Sequence, residues 1–213
     1  MEATKKECIL VEAAKAFTRW GFKKTSVDDI AKRAGVAKGT VYLAAESKED
    51  LFYQVLHREV RQWVAECART IDPRVPADEL IMKLLEAAMR SLDEHPLVRD
   101  VLLGRAQEIM PDWQDRLDDL RALGHANVME VLRIGIKQKL FRPDLDVDTV
   151  ASLLQDLELA TLVFHPTLAS DRPALGARAF VGLDLILNGL RVRPELHAHP
   201  ASHAADRREH ARR

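Results

Sequence analysis

The sequence predicts an all-α fold of about nine helices, and three observations carry that expectation. Gly and Pro number only 9 each in 213 residues, aromatic residues make up 5%, and the helix-favouring Ala, Leu, Glu and Arg dominate. Apolar residues recur at spacings of three and four along most of the chain. Short polar or proline-bearing breaks divide these stretches at lengths that suit helices. With 47% apolar composition the chain can bury a substantial core.

Ile9, Leu10, Ala13, Ala14, Phe17 and Trp20 share one face of a first helix, Lys5 to Trp20, with Gly21 as its stop. Ser26 caps a short second helix, Val27 to Ala34, whose Asp28 and Asp29 complement the positive end of the helix dipole. Gly35 can take the left-handed conformation that ends it, and a third helix is expected over 37–44. Ser47 repeats the capping signal for a long fourth helix carrying Leu51, Phe52, Val55, Leu56, Val60, Trp63, Val64 and Cys67. Two prolines between Asp72 and Pro76 mark a joint. A fifth helix is expected from Asp78 to Glu94, a shorter sixth from Pro96, and a seventh with Pro111 in its first turn, reaching Leu140. Asp146 caps an eighth, Val147 to His165, which Pro166 ends, and a ninth runs from Pro173 to Leu190.

Net charge is only -1, but it is unevenly spread. Residues 1–48 carry ten Lys/Arg against six Asp/Glu, residues 51–190 sixteen against twenty-two, and residues 191–213 six against three. That pattern suits a phosphate-facing module joined to an acidic body. The region 193–213 has no apolar stripe and is rich in Ala, His, Arg and Pro, which predicts a disordered basic tail. Its His197, His199, His203 and His210 are read as solvated, so no metal is expected. Cys8 and Cys67 fit no metal-ligand spacing and are expected to be inert, partly buried thiols. No stretch approaches a membrane span and no leader opens the chain, so a cytoplasmic location without membrane contact is expected. There is no nucleophile elbow, glycine-rich nucleotide loop or HExxH motif, so neither enzymatic activity nor a cofactor is expected.

Residues 27–44 meet the requirements of a helix-turn-helix. Ile30 and Ala34 face inward, Ala31 is small enough for a close crossing, Gly35 makes the turn, and Val36, Val41 and Ala44 complete the apolar set. The exposed face of the second helix then presents Lys38, Gly39, Thr40 and Leu43, with Tyr42 along the flank. Lys can donate to guanine acceptors or phosphate, Thr can touch a thymine methyl, and Gly lets backbone approach the groove. Ser26 and Lys48 begin helices whose free N–H groups attract phosphate.

These residues carry a resemblance. The run ILVEAAKAFTRWGFKKTSVDDIAKRAGVAKGTVYLAAESKEDLF, residues 9–52, resembles the N-terminal signature of the TetR family almost throughout. The resemblance implies DNA-contact roles for Thr25, Ser26, Lys38, Gly39, Thr40, Tyr42 and Lys48. Two departures stand out. Ala37 replaces a frequent Ser and so lacks a phosphate-binding hydroxyl, while Leu43-Ala44-Ala45 replaces a pair of aromatics where the recognition helix meets helix four.

The expected organisation is a DNA-binding domain over 1–50, a ligand-sensing and dimerisation domain over 51–192, and the tail over 193–213. The eighth and ninth helices are apolar around most of their circumference, which requires cover on two sides and points to a second subunit. The resemblance likewise implies a homodimer through 147–165 and 173–190, a palindromic operator on double-stranded DNA, and a cavity among helices four to seven for a small-molecule effector. Trp63, Met82, Met89, Met110, Trp113, Met129 and Phe164 are candidate linings for that cavity, and His125 and His165 candidate polar contacts. The function expected is a one-component repressor released by an apolar ligand. Competing readings are an activator of the same family and a helical protein-interaction module.

Overall fold

The structure is a computed structural model that describes residues 2–102, 113–167 and 172–192, with side chains except at 2–3, 113–114, 161–167 and 172–180. Among the described residues it contains nine α-helices: α1 Glu2–Lys24, α2 Val27–Ala34, α3 Lys38–Ala44, α4 Lys48–Ala68, α5 Ala77–Ser91, α6 Pro96–Leu102, α7 Trp113–Lys137, α8 Val147–Thr167 and α9 Arg172–Leu190.

The local signals act as expected in the first three helices. Gly21 has φ 74 and ψ 167, so α1 proper breaks there and Phe22–Lys24 forms a separate turn. Ser26 accepts the Asp29 N–H, and Ser47 accepts the Asp50 N–H at 3.0 Å. Gly35 adopts φ 66, and the N–H of Val36 reaches back to the Ala31 carbonyl at 3.0 Å, closing α2 with a Schellman turn. The third helix starts one residue later than expected, because Ala37 is extended and serves as its N-cap without a side-chain bond. Phe17, Phe22 and Phe52 then lock α1 onto α4, with ring centroids 5.1 to 5.9 Å apart.

Further along, several boundaries differ from expectation. The fifth helix ends at Ser91 and continues as a 3-10 turn, Leu92–Glu94. The seventh ends at Lys137 rather than Leu140: Lys139 takes φ 60, and the N–H of Leu140 returns to the Gly135 carbonyl. Pro166 does not end the eighth helix, which runs on to Thr167. A proline costs its own N–H bond and crowds the carbonyl four residues back, which the last turn of a helix accommodates with one residue left to run. The start of helix seven at Pro111 and the tail 193–213 lie outside the described residues.

The joint at Asp72–Pro76 is tied down from a distance. The Gln138 side chain accepts the Ala77 N–H at 3.0 Å and donates to the carbonyls of Pro73 and Val75, supplying the cap that Pro76 cannot. Phe141, 1% exposed, packs against the bare backbone of Gly135, and the Arg142 N–H bonds the Leu190 carbonyl, so the turn after α7 holds the end of α9.

Candidate nucleic-acid interface and ligand cavity

At the N-terminal end of the molecule, α2 and α3 cross over α1. Ile30, Ala31 and Val41 are fully buried beneath them, while the outer face of α3 is open. Tyr42 is 47% and Leu43 89% exposed, and nothing lies within 4 Å of where a Gly39 side chain would project. A 47% exposed phenol and an 89% exposed isobutyl group on adjacent residues have no packing role within this chain. α3 seats on α4 without aromatic bulk. Ala45 is buried at the crossing, and the Gln54 amide donates to the Ala44 carbonyl at 3.0 Å and to the Asp50 carboxylate at 2.9 Å.

Electrostatics shape the same face. The Lys38 ammonium lies 2.9 Å from the Asp28 carboxylate; that hydrogen bond, together with the neighbouring negative charge, holds the Lys38 pKa above its usual value. Both groups are about half exposed, so water screens the pair and phosphate can compete for the lysine. Lys48 sits 4.2 Å over the Phe22 ring, and the Arg33 guanidinium lies 4.3 Å over Trp20.

Below this module α4 becomes one wall of a cavity of about 220 Å³ among α4 to α8. Val60, Trp63, Val64 and Cys67 come from α4, Leu84 from α5, Val98 and Val101 from α6, Leu120, Gly124 and Val128 from α7, and Leu159 from α8. Four polar residues, Arg121, Asn127, Gln155 and Glu158, interrupt the apolar lining. Burial pushes the Glu158 carboxyl up to about 7 and is the main reason the Cys67 thiol rises to about 11, with the Glu158 charge adding to the latter. Cavity and DNA module are linked at the head of α4: the Tyr53 hydroxyl donates to Asp119 at 3.2 Å, and Arg116 stacks on the Tyr53 ring and pairs with Asp50.

Residues 9–55 match the family model of bacterial regulatory proteins, tetR family. An HTH-type transcriptional regulator of Bacillus subtilis (strain 168), YhgD, is 27% identical over 173 residues, covering 79% of this chain and 90% of that protein. The HTH-type transcriptional repressor KstR2 of Mycolicibacterium smegmatis is 29% identical over 164 residues, covering 72% and 76%. Residues 9–55 carry the DNA-binding segment of the TetR family. The fold of the chain is also that of the regulator FadR from Bacillus subtilis, solved in complex with stearoyl-CoA: TM-score 0.66 at 19% identity, covering 87% of this chain and 99% of that one.

The residues expected to contact DNA are placed unevenly. Lys38, Gly39, Tyr42 and Leu43 lie on the open face of α3, with Thr40 half-buried and Ser26 and Lys48 at the starts of α2 and α4. Thr25 is a correction. It is 3% exposed, and its hydroxyl lies 2.8 Å from the Gly21 carbonyl and 3.2 Å from that of Ala16, so the side chain braces the kink of α1 and is closed off from the surface. Replacing it with Val strands those carbonyls: Thr25→Val is expected to lose ~1–2 kcal/mol in urea unfolding, with Thr25→Ser near wild type.

Of the expected cavity residues, Trp63 lines the cavity, its N–H donating to Ser91 Oγ at 3.0 Å. Met82, Met89 and Met129 pack against the core without lining it, because Leu84 and Val128 occupy the inward registers of their helices. Met110 lies outside the described residues, as do the side chains of Trp113, Phe164 and His165. His125 is satisfied by the Asp148 carbonyl and Ser152 Oγ. Cys8, expected to be partly buried, is exposed; Cys67 is buried.

Sequence reasoning missed Asn127, Gln155 and Glu158. The available signal was Gln155 and Glu158 three apart, on one face of an otherwise apolar helix. A measurable consequence follows from Glu158. Its native pKa lies above the ordinary 4.5, so between about 4.5 and about 7 the native state keeps a proton that the unfolded chain has released. Stability should therefore fall as pH rises through this window, by up to ~3 kcal/mol, and thermal melts of Glu158→Gln should flatten that slope.

Proposed function

We propose that the protein is a homodimeric transcriptional repressor that binds a palindromic operator through α3 and leaves it when a small apolar molecule enters the cavity. One observation carries this reading: α4 belongs to both sites. Its first half, with Leu51 and Phe52 buried, seats the DNA module, and its second half, with Val60, Trp63, Val64 and Cys67, walls the cavity. A rigid helix cannot yield at one end without moving the other. A ligand that prefers one placement of α4 therefore biases the spacing of two recognition helices, and operator affinity falls by that difference.

Dimerisation through 147–165 and 173–190 is supported by apolar side chains left open on α8 and α9: Leu153 is 53%, Val181 61% and Leu185 68% exposed. Gly182 and Gly189 also face open space, so a partner helix can approach α9 closely. Repression is favoured over activation by the likeness to a repressor. No described helix is long and apolar enough to cross a membrane, and a cytoplasmic location accords with a DNA-binding role.

The test is fluorescence anisotropy with DNA from upstream of the protein's own gene, across a salt series. Wild type should bind with a steep salt dependence, and Lys38→Ala should bind more weakly with the slope reduced by about 1, the signature of one lost phosphate contact. Binding no better than to random DNA at every salt concentration would count against this operator. An unchanged slope in Lys38→Ala would remove Lys38 from the interface.

A further inference from the structure

The polar chemistry of the cavity is one-sided. The Asn127 amide nitrogen donates to the Val64 carbonyl at 3.1 Å, and that of Gln155 donates to the Arg121 carbonyl at 2.8 Å. A carbonyl oxygen can only accept, so both amides are fixed with their nitrogens committed and their oxygens unpaired among the described residues. The other strong donors are partly spent. Trp63 donates to Ser91, whose own hydroxyl donates to the Ala87 carbonyl at 2.8 Å, and the Arg121 guanidinium is paired with Asp156. Glu158, half-buried on the cavity wall, adds a carboxyl group with no hydrogen bond from any described residue. What remains on the donor side is the second proton of each amide, the weak thiol of Cys67 and the Arg121 N–H groups that Asp156 does not take.

A buried acceptor without a partner costs free energy that an incoming donor recovers, and a buried carboxylate recovers most from a cation. A ligand carboxylate would do the reverse, bringing a like charge beside Glu158 into the same low-dielectric space. We infer that the effector of this chain is an apolar molecule bearing a hydrogen-bond donor, in its tightest form a protonated amine, with that donor seated on Glu158 between the amide oxygens of Asn127 and Gln155. The inference rests on the cavity being the effector site and adds which head group it selects.

The experiment is isothermal titration of the full-length protein, without DNA, at about pH 8, where Glu158 is largely ionised. Four probes share one aliphatic body: octylamine, octan-1-ol, octanoate and octanoyl-coenzyme A. Octylamine should bind at least ~10-fold more tightly than octanoate or octanoyl-coenzyme A, with octan-1-ol between, as expected when one charge-assisted bond is gained. Glu158→Gln, which keeps shape and removes charge, should cost octylamine about tenfold while leaving octan-1-ol nearly unchanged. Octanoate or octanoyl-coenzyme A binding as tightly as octylamine would overturn the inference. So would an order of affinities that survives Glu158→Gln, or no binding of any probe. The wild-type ranking stands whether or not the variant folds. Operator binding, measured separately, reports on the regulator reading, so the head-group inference can fail while that reading holds.

Discussion

Leu185→Glu is expected to leave the chain monomeric and to lower operator affinity by ~100-fold or more. Leu185 lies on α9, 68% exposed, one turn after Val181, with Leu153 of α8 also open. In a two-fold interface one substitution acts twice, placing two carboxylates in the apolar seam. The effect on DNA binding is larger than on the fold, because the residue is already solvent-facing in the single chain. Each half-site then binds alone and the gain from linking two recognition helices is lost. Sedimentation equilibrium and operator anisotropy on the same samples check both halves. Leu185→Met, apolar and similar in volume, should remain dimeric. A Leu185→Glu protein sedimenting as wild type would move the interface off this face.

Gly135→Ala is expected to destabilise the protein by ~3 kcal/mol, a drop of roughly 10 °C in melting temperature for a chain of this size. Alanine is ordinarily the better helix former, and at an exposed helical site this change would stabilise. Here the added Cβ would fall 2.1 Å from Cδ2 and 2.5 Å from Cε2 of Phe141, a ring that is 1% exposed and held where the chain turns after α7. Neither group can retreat easily. The N–H groups of Leu140 and Phe141 both return to the Gly135 carbonyl, and Arg142 and Val192 bond the backbone joining this turn to the end of α9. Since α9 carries the proposed dimer face, part of the damage should appear as weaker association. Differential scanning calorimetry of Gly135→Ala beside Gly135→Ala/Phe141→Leu tests the cause: the smaller side chain should recover part of the loss. A single variant melting at or above wild type would show that the ring relocates at little cost.

These two predictions also mark different degrees of legibility. The exposed face of α9 could be anticipated from a helix apolar on too many sides for one chain to cover. Gly135 could not be singled out, since a glycine inside a helical pattern reads only as a weak position until its neighbour is known. The local geometry of the helix-turn-helix was legible almost residue by residue, with the Thr25 side chain as the exception. Its hydroxyl bonds Ala16, nine residues back, a partner that exists only once Gly21 has kinked α1. For the cavity, methionines were chosen for their chemistry, but which register of a helix faces inward depends on the crossing of its neighbours. Met82 and Met129 lost that place to Leu84 and Val128.

By itself the sequence determined where most helices begin and end, that residues 27–44 form a helix-turn-helix, and which groups α3 leaves on its open face. Those features rest on interactions within a few residues, such as Ser26 with Asp29, Ser47 with Asp50, and the left-handed turn at Gly35. Only the tertiary structure decided which side chains meet in the cavity and which hydrogen-bonding groups remain unspent there. Asn127 meets Val64 across 63 positions and Trp63 meets Ser91 across 28, pairings that no local spacing encodes. Glu158 acquires its raised pKa the same way: a carboxylate on a solvated helix is ordinary, and it is perturbed only when five helices close around it and leave it without a hydrogen bond from any described residue.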